Sequence, residues 1–205
     1  LYFKEITDIS GLSYEREGKD LKITWGEDKT ATIKNYFSKA DGSATKSIIK
    51  YIKYVDSSGK TQTKNIIDEG YISTSGLSFT PKKGVVSGTV FSDVIAPSLE
   101  KATGKNNKGL TINANKGNDN ITGTKFYDTI TGGAGINTIN IDFSGEGFGK
   151  DTINLTSGET LYLNIKDGES YVSVENLIYT KSGNNLIINR ASDTTNQLTI
   201  KNYFK

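Results

Sequence analysis

Residues 114–139 read ANKGNDNI-T-GTKFYDTI-T-GGAGINTI, and three copies of one unit follow each other there at a period of nine. The sixth position of the unit is Asp119, Asp128 and Asn137, and the eighth is Ile121, Ile130 and Ile139. A fourth copy, GFGKDTI (147–153), carries Asp151 and Ile153 after an insertion of about five residues (Ile141 to Gly145), and an upstream copy, GTVFSDVI (88–95), carries Asp93 and Ile95. Residues 105–112 fit only through Ile112. A glycine-rich nonapeptide is too short and too flexible for a helical unit, but it suits a six-residue turn followed by a three-residue strand. One apolar residue per unit then points inward. Two units make one coil, and stacked coils pair their strands in parallel.

The period assigns neighbours. Turns eighteen residues apart stack on the same edge, so Asp119 faces Asn137. Asp128 faces the turn of Asp151, provided that Ile141 to Gly145 bulge outward. Each facing pair, with turn carbonyls, offers an all-oxygen cage of the kind a hard cation such as Ca²⁺ selects, whereas Mg²⁺ demands stricter geometry. Without an ion the stacked carboxylates repel, which ties folding to metal. The opposing reading is a coil stack held by Asn and Thr side-chain hydrogen bonds without metal.

Outward from the repeats lie two versions of another segment. Residues 12–38 (LSYEREGKDLKITWGEDKTATIKNYFS) and 177–205 (LIYTKSGNNLIINRASDTTNQLTIKNYFK) share a glycine turn, an alternating strand and an identical TIKNYF. Leu21, Ile23 and Trp25 alternate in one, Leu186 and Ile188 in the other, which marks half-buried strands of hairpins. Tyr36, Phe37, Tyr203 and Phe204 are expected as core anchors. SIIKYIKYV (47–55), GLTINAN (109–115) and GETLYLNI (158–165) read as strands, with Leu161, Leu163 and Ile165 capping the repeat core. Pro97–Thr103 and Lys64–Gly70 are the candidate short helices.

Composition narrows the function. The chain has 205 residues, no His and no Cys, which excludes imidazole- and thiolate-based sites: zinc fingers, Ser-His-Asp triads and cysteine nucleophiles. The net charge is +2, with 14 basic and 11 acidic groups in residues 1–86 against 11 and 12 in residues 87–205. Neither part is basic enough for nucleic acid. No apolar run reaches the roughly 18 residues of a membrane helix. Glu15, Glu17, Asp20 and Asp28 form no convergent acid pair outside a charged hairpin, so no enzyme activity is expected. The chain opens on Leu1 rather than Met, which is expected of a fragment of a longer protein.

The copies KGNDNI, TGGAGINTI and GFGKDTI resemble the glycine-rich nonapeptide of RTX (repeat-in-toxin) proteins, a calcium-binding repeat. The flanks strengthen the likeness. SYEREGKDLKITWG…TIKNYF, followed by a hairpin with the turn Asp56-Ser-Ser-Gly59, resembles the segment after the repeats in RTX haemolysins and leukotoxins. The order flank, repeats, flank resembles one block of a longer array. The resemblance implies an all-β chain: a parallel β-roll (β-solenoid) of nonapeptide repeats at 87–155, flanked and capped by antiparallel β-hairpin segments at 1–86 and 156–205. It implies about two or three Ca²⁺ ions, held by Asp119, Asp128, Asn137 and Asp151 with carbonyls of Gly117, Gly133, Gly135 and Gly149. It implies a monomeric segment of a Gram-negative toxin or adhesin that meets type I secretion machinery through its parent, is secreted to the extracellular space or cell surface, and folds there on calcium. Two features depart from the family pattern: the sequence pI is near 8.5, and Asn137 stands where an Asp is usual. The alternative is an adhesion module for a host-cell or bacterial surface or a glycan, in which the repeats are structural and exposed aromatics such as Tyr51, Tyr54 or Tyr171 group on one face.

Overall fold

The computed structural model describes residues 1–37, 49–67, 72, 79–191, 193 and 195–205. Strands and turns make up nearly all of it; the helical content among these residues is two single turns, Ile9–Gly11 and Val174–Asn176. Neither expected helix forms among the described residues. Residues 97–103 are irregular, since SLEKATG has only Leu99 to bury. Lys64 and Asn65 belong to a strand, and residues 68–70 lie outside the described residues.

The chain begins with β1 (Tyr2–Phe3), β2 (Leu12–Glu17), β3 (Asp20–Trp25) and β4 (Lys29–Ile33), then β5 (Tyr51–Val55) and β6 (Thr61–Asn65). β2, β3 and β4 form an antiparallel sheet, and β1 runs parallel to β5 of the β5–β6 hairpin. At the tip of that hairpin, the Asp56 carboxylate accepts hydrogen bonds from Ser58 and Lys60 N–H, which closes the Asp-x-x-Gly turn. One face packs Leu21, Ile23, Ile52, Ile66, Tyr36, Phe37 and Phe91 into a first core.

The second core lies between two facing sheets. Its strands are β7 (Val85–Ser87), β8 (Val94–Ile95), β9 (Lys108–Asn113), β10 (Asn120–Thr122), β11 (Tyr127–Thr131), β12 (Gly135–Asp142), β13 (Lys150–Asn154) and β14 (Glu159–Asp167). The chain alternates between the sheets: β7, β9, β11 and β13 pair in parallel in one, and β8, β10, β12 and β14 in the other. Parallel neighbours usually need a long crossover. Here the intervening strand of the facing sheet is the crossover, so one coil of eighteen residues, Ile112 to Ile130 or Ile121 to Ile139, carries the chain to its parallel neighbour.

The eighth-position residues fall into register. Ile95, Ile121, Ile139 and Leu163 form one row, and Val86, Ile112, Ile130 and Ile153 the other. All but the partly buried Leu163 are shielded from water. The upstream copy at 88–95 is therefore continuous with the rest, and Ile112 marks a full member of the stack. The insertion does not bulge outward as a whole. Ile139, Ile141 and Phe143 alternate inward, so β12 lengthens and pairs with a nine-residue β14. Only the turn at 144–147 projects.

β15 (Ser170–Tyr171) pairs antiparallel with β14. β16 (Leu177–Ser182), β17 (Asn185–Arg190) and β18 (Gln197–Lys201) form a second three-stranded unit. β18 joins the larger sheet by pairing in parallel with β13, which continues the inner row from Ile153 to Ile200. Tyr203 and Phe204 are not core anchors: they are 53% and 39% exposed, whereas Tyr36 and Phe37 are buried.

Candidate functional site

The sixth-position side chains of Asp119, Asp128, Asn137 and Asp151 each reach back to a backbone N–H of the coil before. On one edge, Asp93 N–H donates to Asp119 Oδ1 at 2.8 Å, and Asp119 N–H donates to Asn137 Oδ1 at 3.0 Å. The Asn137 amide then donates to Glu159 Oε1 at 3.1 Å and to the Gly133 carbonyl at 3.2 Å. On the other edge, Leu110 N–H donates to Asp128 Oδ1, and Asp128 N–H donates to Asp151 Oδ1 at 2.8 Å. The turns close locally as well: Thr89 and Thr124 donate from both backbone and hydroxyl to Asp93 and Asp128.

The geometry brings together the residues that the spacing pairs, Asp119 with Asn137 and Asp128 with Asp151. The glycines are the points where stacked turns touch. A Cβ at Gly133 would lie 1.7 Å from the Asn115 carbonyl oxygen, at a φ of +93°. One at Gly135 would lie 2.1 Å from the Gly117 oxygen, and one at Gly149 2.9 Å from the carbonyl oxygens of Lys125 and Phe126. The Gly133 and Gly149 carbonyls already accept hydrogen bonds, from the Asn137 amide and Gln197 N–H.

Burial makes these carboxylates unusual. Asp93, Asp119, Asp128 and Asp151 are each at most 2% exposed, and Asp119 Oδ2 and Asp151 Oδ2 have no hydrogen-bond partner. A buried polar atom without a partner costs about 1–3 kcal/mol, and an unpaired charge more. Burial pushes the Asp119 carboxyl up to about 8, with Asp93 and Glu159 adding to the shift. Burial raises Asp128 as well, and it raises Asp151 well above the usual range, with the Asp128 charge adding. Around Gly123 the second oxygens converge: a Cβ there would stand 2.8 Å from Asp128 Oδ2 and 3.3 Å from Asp151 Oδ2. Two buried carboxylates that border one space repel as a charged pair, and a proton or a cation there relieves the repulsion. The donor set is all oxygen, one oxygen is already without a partner, and a glycine leaves the room. This pair fits a hard cation better than Asp119–Asn137, where an amide nitrogen occupies one position. Among the described residues, no cluster of three or more acidic groups forms a ready-made cage.

Sequence reasoning left out Asp93, Glu159 and Asn196 as site members. Asp93 was visible in the repeat. Glu159 replaces the sixth-position Asp from a different place in its strand, and Asn196 accepts from Phe148 and Gly149 N–H from 48 and 47 residues further along the chain.

A pH prediction follows. A carboxyl whose folded pKa is raised contributes stability that is complete below its unfolded value, near 3.9, and is lost as pH rises through the folded value. In EDTA the melting temperature is expected to rise by roughly 5 °C between pH 8 and pH 5. Below about pH 4 the trend reverses, because turn carboxylates such as Asp193, lowered to about 2 in spite of burial by hydrogen bonds from Asn196 and Thr195, then become protonated. Thermal unfolding at four pH values tests this; a melting temperature that falls from pH 8 to pH 5 refutes it.

No protein-family model matches the chain, and no curated protein sequence matches it. Among solved structures, it is similar to the extracellular lipase LipA from Serratia marcescens, at 14% identity and a TM-score of 0.27, over 97% of this chain and 30% of the lipase chain. The chain thus spans less than a third of that protein, and the superposition is too loose to carry an argument. No helix among the described residues is long and apolar enough to cross a membrane.

Proposed function

We propose that the two facing parallel sheets are a β-roll of the RTX kind and that calcium completes it. In this reading the chain is a segment of an exported toxin or adhesin. It leaves the cell through type I machinery with its parent and folds outside, where calcium replaces the proton shared by its buried carboxylates. Asp128 and Asp151 are the principal ligands. Asp119 with Asn137 and Glu159 forms a weaker site. Calcium supplies the positive charge that two buried carboxylates lack, and the chain itself supplies the stacked turns that hold them. No catalytic step is assigned.

One observation carries this reading: Asp151 Oδ2 is buried without a partner beside Asp128 Oδ2. A far-UV circular dichroism titration with CaCl₂ after EDTA tests it, with MgCl₂ as the control. A cooperative gain of β signal, or a rise in melting temperature, with calcium and not with magnesium is expected at neutral pH. A chain fully folded in EDTA with no thermal shift on adding calcium refutes it. The aromatics of the adhesion reading do not gather: Tyr54 is buried, and the exposed Tyr51 and Tyr171 belong to different sheets.

A further inference from the structure

The duplicated segment offers an internal comparison. Leu12 aligns with Leu177, an offset of 165 that becomes 167 at the TIKNYF ends, because the second copy is two residues longer between its second and third strands. Both copies begin with a single helical turn and continue as three antiparallel strands, β2–β3–β4 and β16–β17–β18. Their ends match in detail. Asn35 and Asn202 both adopt positive φ, 52° and 58°. Asn35 N–H donates to the Asp20 side chain, and Asn202 N–H to that of Asn185. Phe37 N–H donates to the Lys19 carbonyl, and Phe204 N–H to that of Asn184. Arg16 lies over the Phe37 ring, and Lys181 over the Phe204 ring, each at 5.0 Å.

The environments are opposite. In the first copy Ile6, Ile9, Tyr36 and Phe37 are all buried. Their counterparts Tyr171, Val174, Tyr203 and Phe204 are 74%, 69%, 53% and 39% exposed. The cover over the first copy is known. Phe91 packs against Phe37 at 5.2 Å, Tyr36 hydroxyl donates to the Ile49 carbonyl, and Ile52 and Ile66 of the β5–β6 hairpin share the core. The edges are opposite too. β18 pairs in parallel with β13, whereas β4, its counterpart, has no second strand partner among the described residues.

We propose that this three-stranded unit is a joint with two docking faces, and that each copy displays the face the other has filled. The aromatic face of the second copy takes a hairpin of the β5–β6 kind, with alternating Ile52 and Tyr54 on its inner face, together with a phenylalanine that enters between the Tyr and Phe of TIKNYF as Phe91 does. The edge of β4 that lacks a strand partner among the described residues takes a parallel strand of the β13 kind. Such joints link roll to hairpin to roll in a head-to-tail series. Two intact copies of this chain do not dock this way, because in each the hairpin is already covered by its own first sheet. This inference is independent of calcium.

The test is a fusion protein in which residues 38–205 follow Phe204 directly, so that the second TIKNYF is continued as the first one is. Nitration of tyrosine in calcium-containing buffer, read by the mass of peptides cut after Asp and Glu, separates the joining Tyr203, which follows Thr194 to Lys201 and precedes Ser38, from the terminal one, which precedes Lys205, and from Tyr36, which follows Lys29 to Lys34. The joining Tyr203 is expected to react at least tenfold more slowly than the terminal one, and Phe204→Ala at the joint to shift the unfolding equilibrium at least tenfold more than the same change at the terminal copy. Equal reactivity of the two tyrosines overturns the proposal. So does failure of the appended residues to fold, since the joining sheet is claimed to replace residues 9–37. Dimerisation of the single chain that Phe204→Ala abolishes also overturns it, because the occupant is then a second copy.

Discussion

Asp151→Asn is expected to stabilise the chain in EDTA at pH 8, raising its melting temperature by roughly 5 °C, and to weaken the response to calcium at least tenfold. The amide keeps Oδ1, which still accepts Asp128 N–H, and places a donor where Asp151 Oδ2 now has no partner beside Asp128 Oδ2. The chain contains a precedent: Asn137, fully buried at the same position of its repeat, donates its amide to Glu159. The charge that calcium would need is gone. Asp151→Ala separates the two effects. It removes the acceptor of a buried N–H and is expected to destabilise by about 1–3 kcal/mol with or without calcium. Thermal melts of both variants in EDTA and in CaCl₂ check this. A calcium response of Asp151→Asn equal to that of the parent removes Asp151 from the ligand set.

The largest loss of stability is expected from Ile130→Ala, about 4 kcal/mol. Ile130 is fully buried in the middle of its row, in register with Ile112 on one side and Ile153 on the other. Stacked coils are close-packed along that row, and removing the branched side chain leaves a cavity that strand pairing prevents from collapsing. Ile136→Ala is the control. Ile136 is 51% exposed on the outer face of β12, and its loss is expected to stay within about 0.5 kcal/mol. Urea unfolding of both variants measures the difference, and similar losses would mean that the inner rows do not hold the stack.

How far the sequence could be read depends on whether the determining contacts are periodic. The inner rows were legible because one Ile recurs every nine residues, the Asp119–Asn137 pair because turns eighteen residues apart stack, and the Asp128–Asp151 pair once the five inserted residues are discounted. The condition that Ile141 to Gly145 bulge outward was not needed for Asp128 to meet Asp151: Ile139, Ile141 and Phe143 alternate inward as a strand does, and the pair still forms. Glu159 was not read as an edge member because its carboxylate arrives from a strand position, not from the sixth position of a turn. The burial of TIKNYF was not legible at all. Two identical hexapeptides have the same local geometry and opposite exposure, because burial there is decided by whichever segment packs over them from elsewhere in the chain.

The hydrogen bonds to the sixth-position side chains run one way, from an amide in one coil to a side chain in the next coil toward the C-terminus, whereas the Ile136 and Asn118 amides donate in the opposite sense, to the Asn118 and Ser92 side chains. The two ends of the stack therefore fray unequally. Peeling coils from the N-terminal side uncovers acceptor oxygens, which water solvates readily. Peeling them from the C-terminal side strands amide hydrogens beneath a turn, where water reaches them poorly. The stack has a tolerant end and an intolerant one, and the intolerant one is the end at which Asn196 and β18 arrive to take up the last amides of the Phe148–Gly149 turn.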